Sequence, residues 1–518
     1  MDSHSFIDKV AVIGAGTMGR EIALVVALGG HDVVLIDADV KQLASSTTHI
    51  EKAFSRRTQN KDDTHLVDAT FKDRLLLSSQ IQEVTGCSLV IEAINEDLNA
   101  KADLLQRVDL LIGSDVLVAT NTSSISITKL AKHISNPERF IGLHFFNPAT
   151  RMKLVEIVVS PLSSKESISR AKDFVISCAK TPVVTDSRPG FIVNRLARPI
   201  YSESLLSAEI ELASIETLDL LTKSSAQFPM GPFSLMDLIG LDVNFAVTSS
   251  VFEQTFFDER YRPSNLQDEL VSAGLLGRKR GRGFYDYKTP SSVKVSPIKS
   301  LFSEKETEAR VVGGSLLDDL FQQLPKTNPK LSVRETIKDE NYPSWRGLLF
   351  KDTLLCSLDG LSATEVSESV GVKGVVGIDL AFDYSNCASL GVSLSLGCNK
   401  TIVEEIAGLF ENSGVGLYEL KDIRGQYITR MTCSLVNEFA DFVLRSNESP
   451  DTLDKAFKLG LNQRISPLDW LKKLGPTYFM NVCTRLYEAF SSARYHPSLQ
   501  LKMWSDKERL GSSFEDFN

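Results

Sequence analysis

The chain has 518 residues, which is too long for one ordinary domain and predicts three or four. Its net charge of −9 leaves no basic excess to neutralise phosphates, which argues against a general nucleic-acid binder. The seven cysteines stand singly, without a CxxC pair or a zinc-like spacing to histidine, so no metal site is expected. The first residues do not resemble a signal peptide, and no apolar run approaches the roughly 20 residues of a membrane span. We expect a cytoplasmic protein without a membrane or nucleic-acid partner.

A complete βαβ pattern opens the chain. The apolar run KVAVI (9–13) predicts a strand, GAGTMG follows at once, and residues 20–28 predict a helix that stops at two glycines. A second apolar strand, residues 33–36, ends in Asp37. A glycine-rich turn between strand and helix, followed by an acid at the end of the second strand, is typical of a dinucleotide-binding site.

The residue types in this pattern have chemical reasons. Gly14 permits the tight turn, Gly16 lets the backbone approach a pyrophosphate, and Gly19 allows close packing of helix on strand. The helix N-terminus offers N–H groups to the phosphates. Asp37 is suited to bind the adenosine ribose hydroxyls and to repel the 2′-phosphate of NADP, which favours NAD. The cofactor-binding residues predicted in this turn are Gly14, Gly16, Thr17, Met18 and Gly19.

Further apolar strands, SLVIEAI (88–94) and VLVAT (116–120), continue the α/β rhythm and run into polar residues. Ligands bind just past the carboxyl ends of parallel strands in such sheets, although strand-end caps and turns use the same residue types. The polar residues at these ends and on the intervening helix include Asn95, Glu96, Lys101, Asn121, Thr122 and Ser123.

A histidine and a glutamate stand on the next two predicted strands. RFIGLHFFNP contains His144, RMKLVEIVV contains Glu156, and a short NPAT turn joins them, so imidazole and carboxylate can lie side by side. A dehydrogenase acting on an alcohol needs a base for the hydroxyl proton, and histidine backed by a carboxylate suits this task. Spacing alone leaves open a buried structural histidine.

The motifs GAGTMG, IEAINED, NTSS, GLHFFNPATRMKLVEIV, RPGFIVNRL, GPFSLMDLIGLD and GRKRGRGFYDY stand in the order seen in L-3-hydroxyacyl-CoA dehydrogenases. The chain resembles that family from residue 10 to about residue 287. The resemblance implies a Rossmann-type NAD-binding domain followed by all-helical domains. It also implies that His144 is the base, Glu156 its orienting partner, and Ser123 and Asn194 substrate contacts. The implied cofactor contacts outside the glycine turn are Asp37, Glu96, Lys101 and Asn121.

Binding of CoA requires cations for its phosphates. Lys52 and Arg56, on a basic helical stretch, are candidate contacts, as is Lys72 or Arg74. A solvated helix face explains such charges as well. Asn147, in the HFFNP segment, is expected to line the substrate site.

The C-terminal part resembles a degraded copy of the second half of this catalytic unit. Equivalent residues lie 235 positions apart, as Gly190 and Gly425 or Pro232 and Pro467 do. At this offset Asp379, Gly391 and Thr429 replace His144, Glu156 and Asn194, and no GxGxxG occurs after residue 287. We therefore expect one active site per chain.

Four segments are predicted. They are an NAD-binding Rossmann domain (1–187), a helical substrate and dimerisation-type domain (188–290), a linker with a degenerate Rossmann-like segment (291–421), and a second, degenerate helical domain (422–518). A flexible linker followed by a small α/β module is the alternative for the middle. The two helical domains are expected to pack together, in a monomer or a homodimer.

The two-copy layout resembles bacterial enzymes of 3-hydroxybutyryl-CoA or 3-hydroxyadipyl-CoA oxidation, in fatty-acid or phenylacetate-type catabolism. The expected reaction is NAD-dependent oxidation of a (3S)-3-hydroxyacyl-CoA to the 3-oxoacyl-CoA. Two alternatives stay open. One is a dehydrogenase of a free hydroxy acid, like the gulonate-oxidising relatives, and the other is a non-catalytic NAD-binding protein.

Overall fold

The computed structural model describes residues 7–58, 69–289, 295–302, 306–336 and 346–512. The chain divides into two compact units. The first comprises Met1–Arg195 with the C-terminal segments Ser446–Glu448 and Lys455–Asn462, and the second comprises Leu196–Arg445, Ser449–Asp454 and Gln463–Asn518.

An eight-stranded sheet forms the centre of the first unit, in the order β3-β2-β1-β4-β5-β6-β7-β8. Neighbouring strands are parallel except for β6 and β7, which are antiparallel. The strands are β1 Lys9–Ile13, β2 Asp32–Ile36, β3 Leu75–Ser78, β4 Leu89–Glu92, β5 Leu117–Thr120, β6 Phe140–Phe145, β7 Leu154–Val159 and β8 Thr181–Asp186. The order of the first six strands is that of dinucleotide-binding sheets, so the predicted Rossmann-type fold is confirmed.

Helices cover both faces of this sheet, which explains why its strands are apolar throughout. Alternate side chains of β1 enter different cores: Val10 and Val12 join one cluster, and Ala11 and Ile13 join another. The helices that begin in this unit are α1 Thr17–Leu28, α2 Val40–Thr58, α3 Leu98–Asp109, α4 Ile127–Ala131, α5 Lys165–Ser177 and α6 Val193–Leu196.

The second unit contains a seven-stranded sheet in the order β10-β9-β11-β12-β13-β14-β15. Its strands are β9 Thr307–Val312, β10 Leu331–Thr336, β11 Gly347–Phe350, β12 Thr353–Ser357, β13 Gly374–Ile378, β14 Ser389–Leu394 and β15 Gly416–Leu420. The region predicted as linker and degenerate Rossmann-like segment therefore contributes a sheet with its own apolar core.

Helices make up the remainder. They are α7 Arg198–Glu209, α8 Ile215–Ser224, α9 Pro232–Ile239, α10 Leu241–Gln254, α11 Asn265–Ser272, α12 Asp318–Thr327, α13 Ala363–Val370, α14 Lys400–Asn412, α15 Ile428–Arg445, α16 Pro450–Leu461, α17 Pro467–Leu474, α18 Pro476–Phe490 and α19 Leu499–Arg509. In the second unit α7 packs on α15, where Glu203 and Arg430 form a fully buried ion pair at 2.8 Å. The two helical copies thus pack together as expected. Among the described helices none is by itself long and apolar enough to cross a membrane; α9 and α10 together reach that length and composition but are bent by 99°.

The internal repeat is visible in the boundaries of the elements. Strand β14, helix α14 and helix α17 begin and end 235 residues after β7, α5 and α9 respectively. The strand directions also repeat, because β12 to β15 show the parallel, antiparallel and parallel pairing of β5 to β8.

The helical stretch that follows the first sheet is interrupted. The chain breaks between α6 and α7, close to Pro199. Proline has no N–H to donate and its ring clashes with the preceding turn. In the second copy Ser434 stands at the equivalent position, and α15 runs through without interruption.

Candidate active site

The glycine turn after β1 has the geometry that its sequence predicts. Gly14 has φ +108°, which side-chain-bearing residues rarely adopt. A methyl group placed on Gly19 would lie 1.7 Å from the carbonyl oxygen of Gly14, so helix α1 packs against the strand only through glycine. A methyl group on Gly16 would meet nothing within 4 Å, so the space beside this part of the turn is open.

The N-terminus of α1 fits the pyrophosphate of a dinucleotide. Gly16 is the N-cap and supplies no side-chain hydrogen bond, so the first N–H groups, including those of Thr17 and Met18, are not capped by its side chain. Asp37 follows β2, and its Oδ2 accepts a hydrogen bond from the N–H of Ala15 at 2.7 Å. This bond holds the half-buried carboxylate beside the glycine turn, and binding of a ribose by Asp37 stays a prediction.

Glu96 organises the loop that follows β5. Its Oε1 accepts hydrogen bonds from the Thr122 hydroxyl at 2.5 Å and from the N–H groups of Ser123 and Ser124 at 3.0 Å. Burial raises the pKa of Glu96, but the nearby charge of Lys101 and these hydrogen bonds outweigh burial, so the pKa lies below its usual value. Glu96 is therefore an anionic anchor for the Ser123 loop.

Lys101 is buried in an ion pair. Its Nζ donates to Oε1 of Glu92 at 2.7 Å and lies 3.4 Å from Oε2 of Glu96, and only 1% of its side chain is exposed. Sequence reasoning did not assign a role to Glu92, which also accepts from the hydroxyl of Thr120 at 2.6 Å. The signal was an acidic residue inside an otherwise apolar strand. A direct contact of Lys101 with the cofactor stays a prediction.

His144 and Glu156 are direct cross-strand partners on β6 and β7. His144 Nδ1 lies 2.6 Å from Oε2 of Glu156, and both side chains are buried, with 7% and 0% exposed. The rings of Phe146 and Phe191 lie 4.5 Å and 5.6 Å from the imidazole ring. The pair anticipated from a spacing of twelve residues is formed.

The main chain before α6 holds the second oxygen of Glu156. Oε1 accepts hydrogen bonds from the N–H groups of Ile192 at 3.1 Å and Val193 at 2.9 Å. Both carboxylate oxygens are therefore engaged, one by imidazole and one by the backbone, which fixes the orientation of the pair. Asn194, the next residue, is half-buried.

Asn121, Ser123 and Asn147 are the other residues predicted to bind cofactor or substrate, and each has a different environment. Asn121 Oδ1 accepts from the N–H of Phe145 at 2.9 Å, which ties the end of β5 to the strand of His144. Ser123 donates only through its N–H, and its hydroxyl forms no hydrogen bond with the residues that the structure describes. Asn147 is exposed and precedes a cis peptide bond to Pro148.

Glu21 joins the turn after His144 to helix α1. Its Oε2 accepts from the N–H and hydroxyl of Thr150 at 3.2 and 2.7 Å, and its Oε1 lies 2.7 Å from Nε2 of His49. Burial raises the pKa of Glu21, and the hydrogen bonds from Thr150 and His49 lower it further than burial raises it. Nothing in the sequence pattern marked this residue, because an acid on a helix is ordinary.

The lysine and arginine residues predicted to bind the phosphates of CoA differ in their exposure and in their partners. Lys52 is exposed on α2, and the side chain of Arg56 lies outside the described residues. Lys72 is paired with Glu51 at 2.8 Å. Arg74 lies near Gly30, where a methyl group would come within 3.2 Å of its guanidinium. Contacts of these cations with CoA stay predictions.

The equivalent positions of the second copy do not form such a pair. Asp379 donates its N–H to the carbonyl of Gly391 at 2.9 Å, so the two residues face each other as His144 and Glu156 do. A methyl group on Gly391 would lie 2.8 Å from Leu420 and 3.2 Å from Leu221, which leaves little room for a longer side chain.

A dinucleotide-type glycine turn and a buried histidine–carboxylate pair in one sheet define a dehydrogenase of alcohols. Comparison with protein families agrees. Residues 9–188 match the NAD-binding domain of 3-hydroxyacyl-CoA dehydrogenase, and residues 190–287 and 425–516 match its C-terminal domain. Residues 355–423 match the reduced Rossmann-fold domain of 3-hydroxybutyryl-CoA dehydrogenase. The chain belongs to the 3-hydroxyacyl-CoA dehydrogenase family, and its cofactor is NAD.

Similar proteins match over the full chain as well as its first half. The 3-hydroxyadipyl-CoA dehydrogenase of Escherichia coli is 35% identical over 497 residues, which are 96% of this chain and 97% of the relative. The mitochondrial hydroxyacyl-coenzyme A dehydrogenase of Rattus norvegicus is 38% identical over 288 residues, 54% of this chain and 92% of the relative. A crystal structure of 3-hydroxybutyryl-CoA dehydrogenase from Escherichia coli K12 has a TM-score of 0.85 at 31% identity, covering 98% of this chain and 100% of that chain.

Proposed function

We propose that this chain oxidises the 3-hydroxyl group of a short-chain or dicarboxylic (3S)-3-hydroxyacyl-CoA to the 3-oxoacyl-CoA. The observation that carries the proposal is the buried pair of His144 and Glu156, with 2.6 Å between Nδ1 and Oε2. Relatives named for 3-hydroxyadipyl-CoA and 3-hydroxybutyryl-CoA support the substrate class.

The tautomer of His144 follows from its partner. An ionised carboxylate only accepts hydrogen bonds, so Nδ1 carries the proton directed at Glu156. Nε2 then has a free lone pair and takes the proton of the substrate hydroxyl as general base. Glu156 balances the positive charge that develops on the ring, and its second oxygen is held in place by the N–H groups of Ile192 and Val193.

Polar side chains near His144 and Glu156 orient the substrate. The Ser123 hydroxyl and the Asn194 side chain hold the 3-hydroxyl or the thioester oxygen, and Asn147 lines the site. When bound, NAD supplies the acceptor for the hydride that leaves C3. Asp37 binds the ribose hydroxyls of the cofactor and disfavours the 2′-phosphate of NADP, and Glu96, Lys101 and Asn121 shape the neighbouring part of the cofactor site.

Kinetics with a set of substrates tests the proposal. Purified protein is assayed for NADH formation with 3-hydroxybutyryl-CoA, 3-hydroxyadipyl-CoA, a long-chain 3-hydroxyacyl-CoA and the free acids 3-hydroxybutyrate and gulonate. We expect the highest kcat/KM with one of the first two thioesters and with NAD over NADP. Preference for a free acid would favour the gulonate-like alternative, and no turnover with any substrate would favour the non-catalytic one. Cytoplasmic location and a monomeric or homodimeric state remain predictions.

A further inference from the structure

Part of the second copy belongs to the first unit. Residues 446–448 and 455–462 lie in the C-terminal copy, yet they form one compact unit with the dinucleotide-binding sheet. The second segment includes the last part of helix α16 (Pro450–Leu461). At the repeat offset, α16 is the counterpart of α8 (Ile215–Ser224).

Gly460 of α16 makes a close approach to its neighbours within this unit. Gly460 is buried, and a methyl group on it would lie 2.5 Å from Cγ2 of Val193 and 3.0 Å from Cδ2 of Leu154. Non-bonded carbon atoms pack best at about 3.5–4.0 Å, so only glycine allows the helix backbone to come this near. Glycine is a much poorer helix former than alanine, and the close packing is the structural reason for its presence here.

Of the two residues that Gly460 contacts, one holds the carboxylate of Glu156 and the other lies on the strand that carries it. Val193 donates its N–H to Oε1 of Glu156 at 2.9 Å. Leu154 stands two residues before Glu156 on β7, so its side chain lies on the same face of the strand. A displacement at Gly460 therefore reaches both the strand that carries the carboxylate and the N–H that holds it.

Glu448 provides a second contact to the same loop. Its Oε1 accepts a hydrogen bond from the N–H of Asp186 at 3.3 Å. Asp186 is the last residue of β8, where the chain enters the loop that leads to Ile192 and Val193. The C-terminal segment thus contacts this loop at its beginning and at its end.

The same contact recurs, reversed, in the second unit. Ser225, which ends α8, is the repeat counterpart of Gly460, and Ser389 on β14 is the counterpart of Leu154. The hydroxyl of Ser225 donates to the carbonyl of Ser389 at 3.0 Å, and the N–H of Phe382 donates to the carbonyl of Ser225 at 2.8 Å. Each copy therefore sets one helix end against the outer strands of the other copy's sheet. Because both copies make this contact, the contact of Gly460 belongs to the repeated fold.

We propose that Gly460 and Glu448 are positioning residues for the reaction, and that the second copy, which has no catalytic pair of its own, braces the loop that holds Glu156. The inference rests on the proposed function, because it assigns an effect on the turnover of His144 and Glu156. The brace acts through Val193, whose side chain contacts α16 and whose N–H binds the carboxylate.

Substitution of Gly460 by alanine tests the brace. NADH titration counts the folded sites and gives the Kd, and kcat per NADH-binding site is then measured with the preferred acyl-CoA substrate. We expect Gly460→Ala to lower kcat per site at least about tenfold, since displacements of about 1 Å in a catalytic group cost up to 10²-fold. The Kd for NADH and the KM for NAD should stay within about twofold. Lys455→Ala, an exposed position on the same helix, is the matched control and should keep wild-type kcat.

A second substitution separates positioning from general damage. Val193→Ala removes the methyl group nearest to the new side chain and leaves only the flexible end of Leu154 within 3.0 Å, so the double variant should regain most of the kcat per site of Val193→Ala alone. Wild-type kcat per site in Gly460→Ala, or a fall that merely follows the loss of NADH-binding sites, would overturn the proposal.

Glu448→Ala keeps the proposal testable if Gly460→Ala does not fold. It removes the acceptor for the Asp186 N–H, so a lower kcat per NADH-binding site supports the brace and an unchanged value overturns it. Failure of the proposed function has a different result, because wild-type protein would then not turn over any 3-hydroxyacyl-CoA.

Discussion

Asp379 accepts main-chain hydrogen bonds in the second copy at the place where Glu156 accepts them in the first. Oδ2 of Asp379 accepts from the N–H groups of Tyr427 at 3.1 Å and Ile428 at 2.7 Å, the repeat counterparts of Ile192 and Val193. Asp379 itself stands at the position of His144. In the second copy a carboxylate therefore still holds the loop to the sheet, but it stands at the position of the base, and the position of Glu156 is taken by Gly391.

We expect each chain to bind one NADH, because the two copies differ at the cofactor site. In the second copy Asp379 stands at the position of His144, and the residues described after 287 contain no GxGxxG turn, so we expect the dinucleotide to bind to the first copy. Isothermal titration of the purified protein with NADH should give a stoichiometry close to one per chain. Asp379→Asn should leave this stoichiometry unchanged, and a value near two would contradict the assignment.

His144→Gln is expected to remove turnover without removing cofactor binding. Glutamine cannot take the hydroxyl proton, so kcat should fall by about 10²–10⁴-fold, the usual contribution of a general base. The Kd for NADH should stay within about twofold, because the side chain is not part of the glycine turn. His133→Gln, away from the pair, is the control, and near-normal kcat in the His144 variant would refute its role as base.

Asp37→Ser is expected to weaken the preference for NAD. A hydrogen bond to a charged group contributes about 1.5–3 kcal/mol, so kcat/KM for NAD should fall by about 10–100-fold. The loss with NADP should be smaller, since the repulsion of its 2′-phosphate is removed. Asp39→Ser, an exposed carboxylate two residues later, is the control. An unchanged ratio of the two cofactors would contradict the assigned role.

We expect Glu96 to make a pH-dependent contribution to the free energy of unfolding. Because the pKa of Glu96 is lowered in the folded chain, its contribution is fully present above its unfolded pKa of about 4.5 and is lost as the pH falls through the folded pKa. Glu96→Gln should therefore lower the Tm most at pH 6–7, and the difference from wild type should shrink as the pH is reduced below about 4.5. Glu138→Gln, at an exposed position, should show no such trend. A difference in Tm that stays constant down to pH 3 would be inconsistent with this account.

Much of the catalytic half follows from local pattern. Gly14 and Gly19 are required by the backbone geometry of one βαβ unit, which neighbouring residues determine. His144 and Glu156 meet because a short turn sets the register of two adjacent strands. The repeat of 235 residues also recovers the second copy, since the spacing of its elements survived the loss of its chemistry.

Contacts that depend on burial, or that join distant segments, were decided by the tertiary structure. Glu92 and Lys101 are nine residues apart, and their ion pair forms because the fold buries both side chains. Residues 455–462 pack in the first unit, and no periodicity in the sequence indicates this. From the sequence, Gly460 is only a poor helix former, and its reason is visible in the contact with Val193. Close packing between distant segments depends on the shapes of both surfaces, which the spacing of residues in either segment does not reveal.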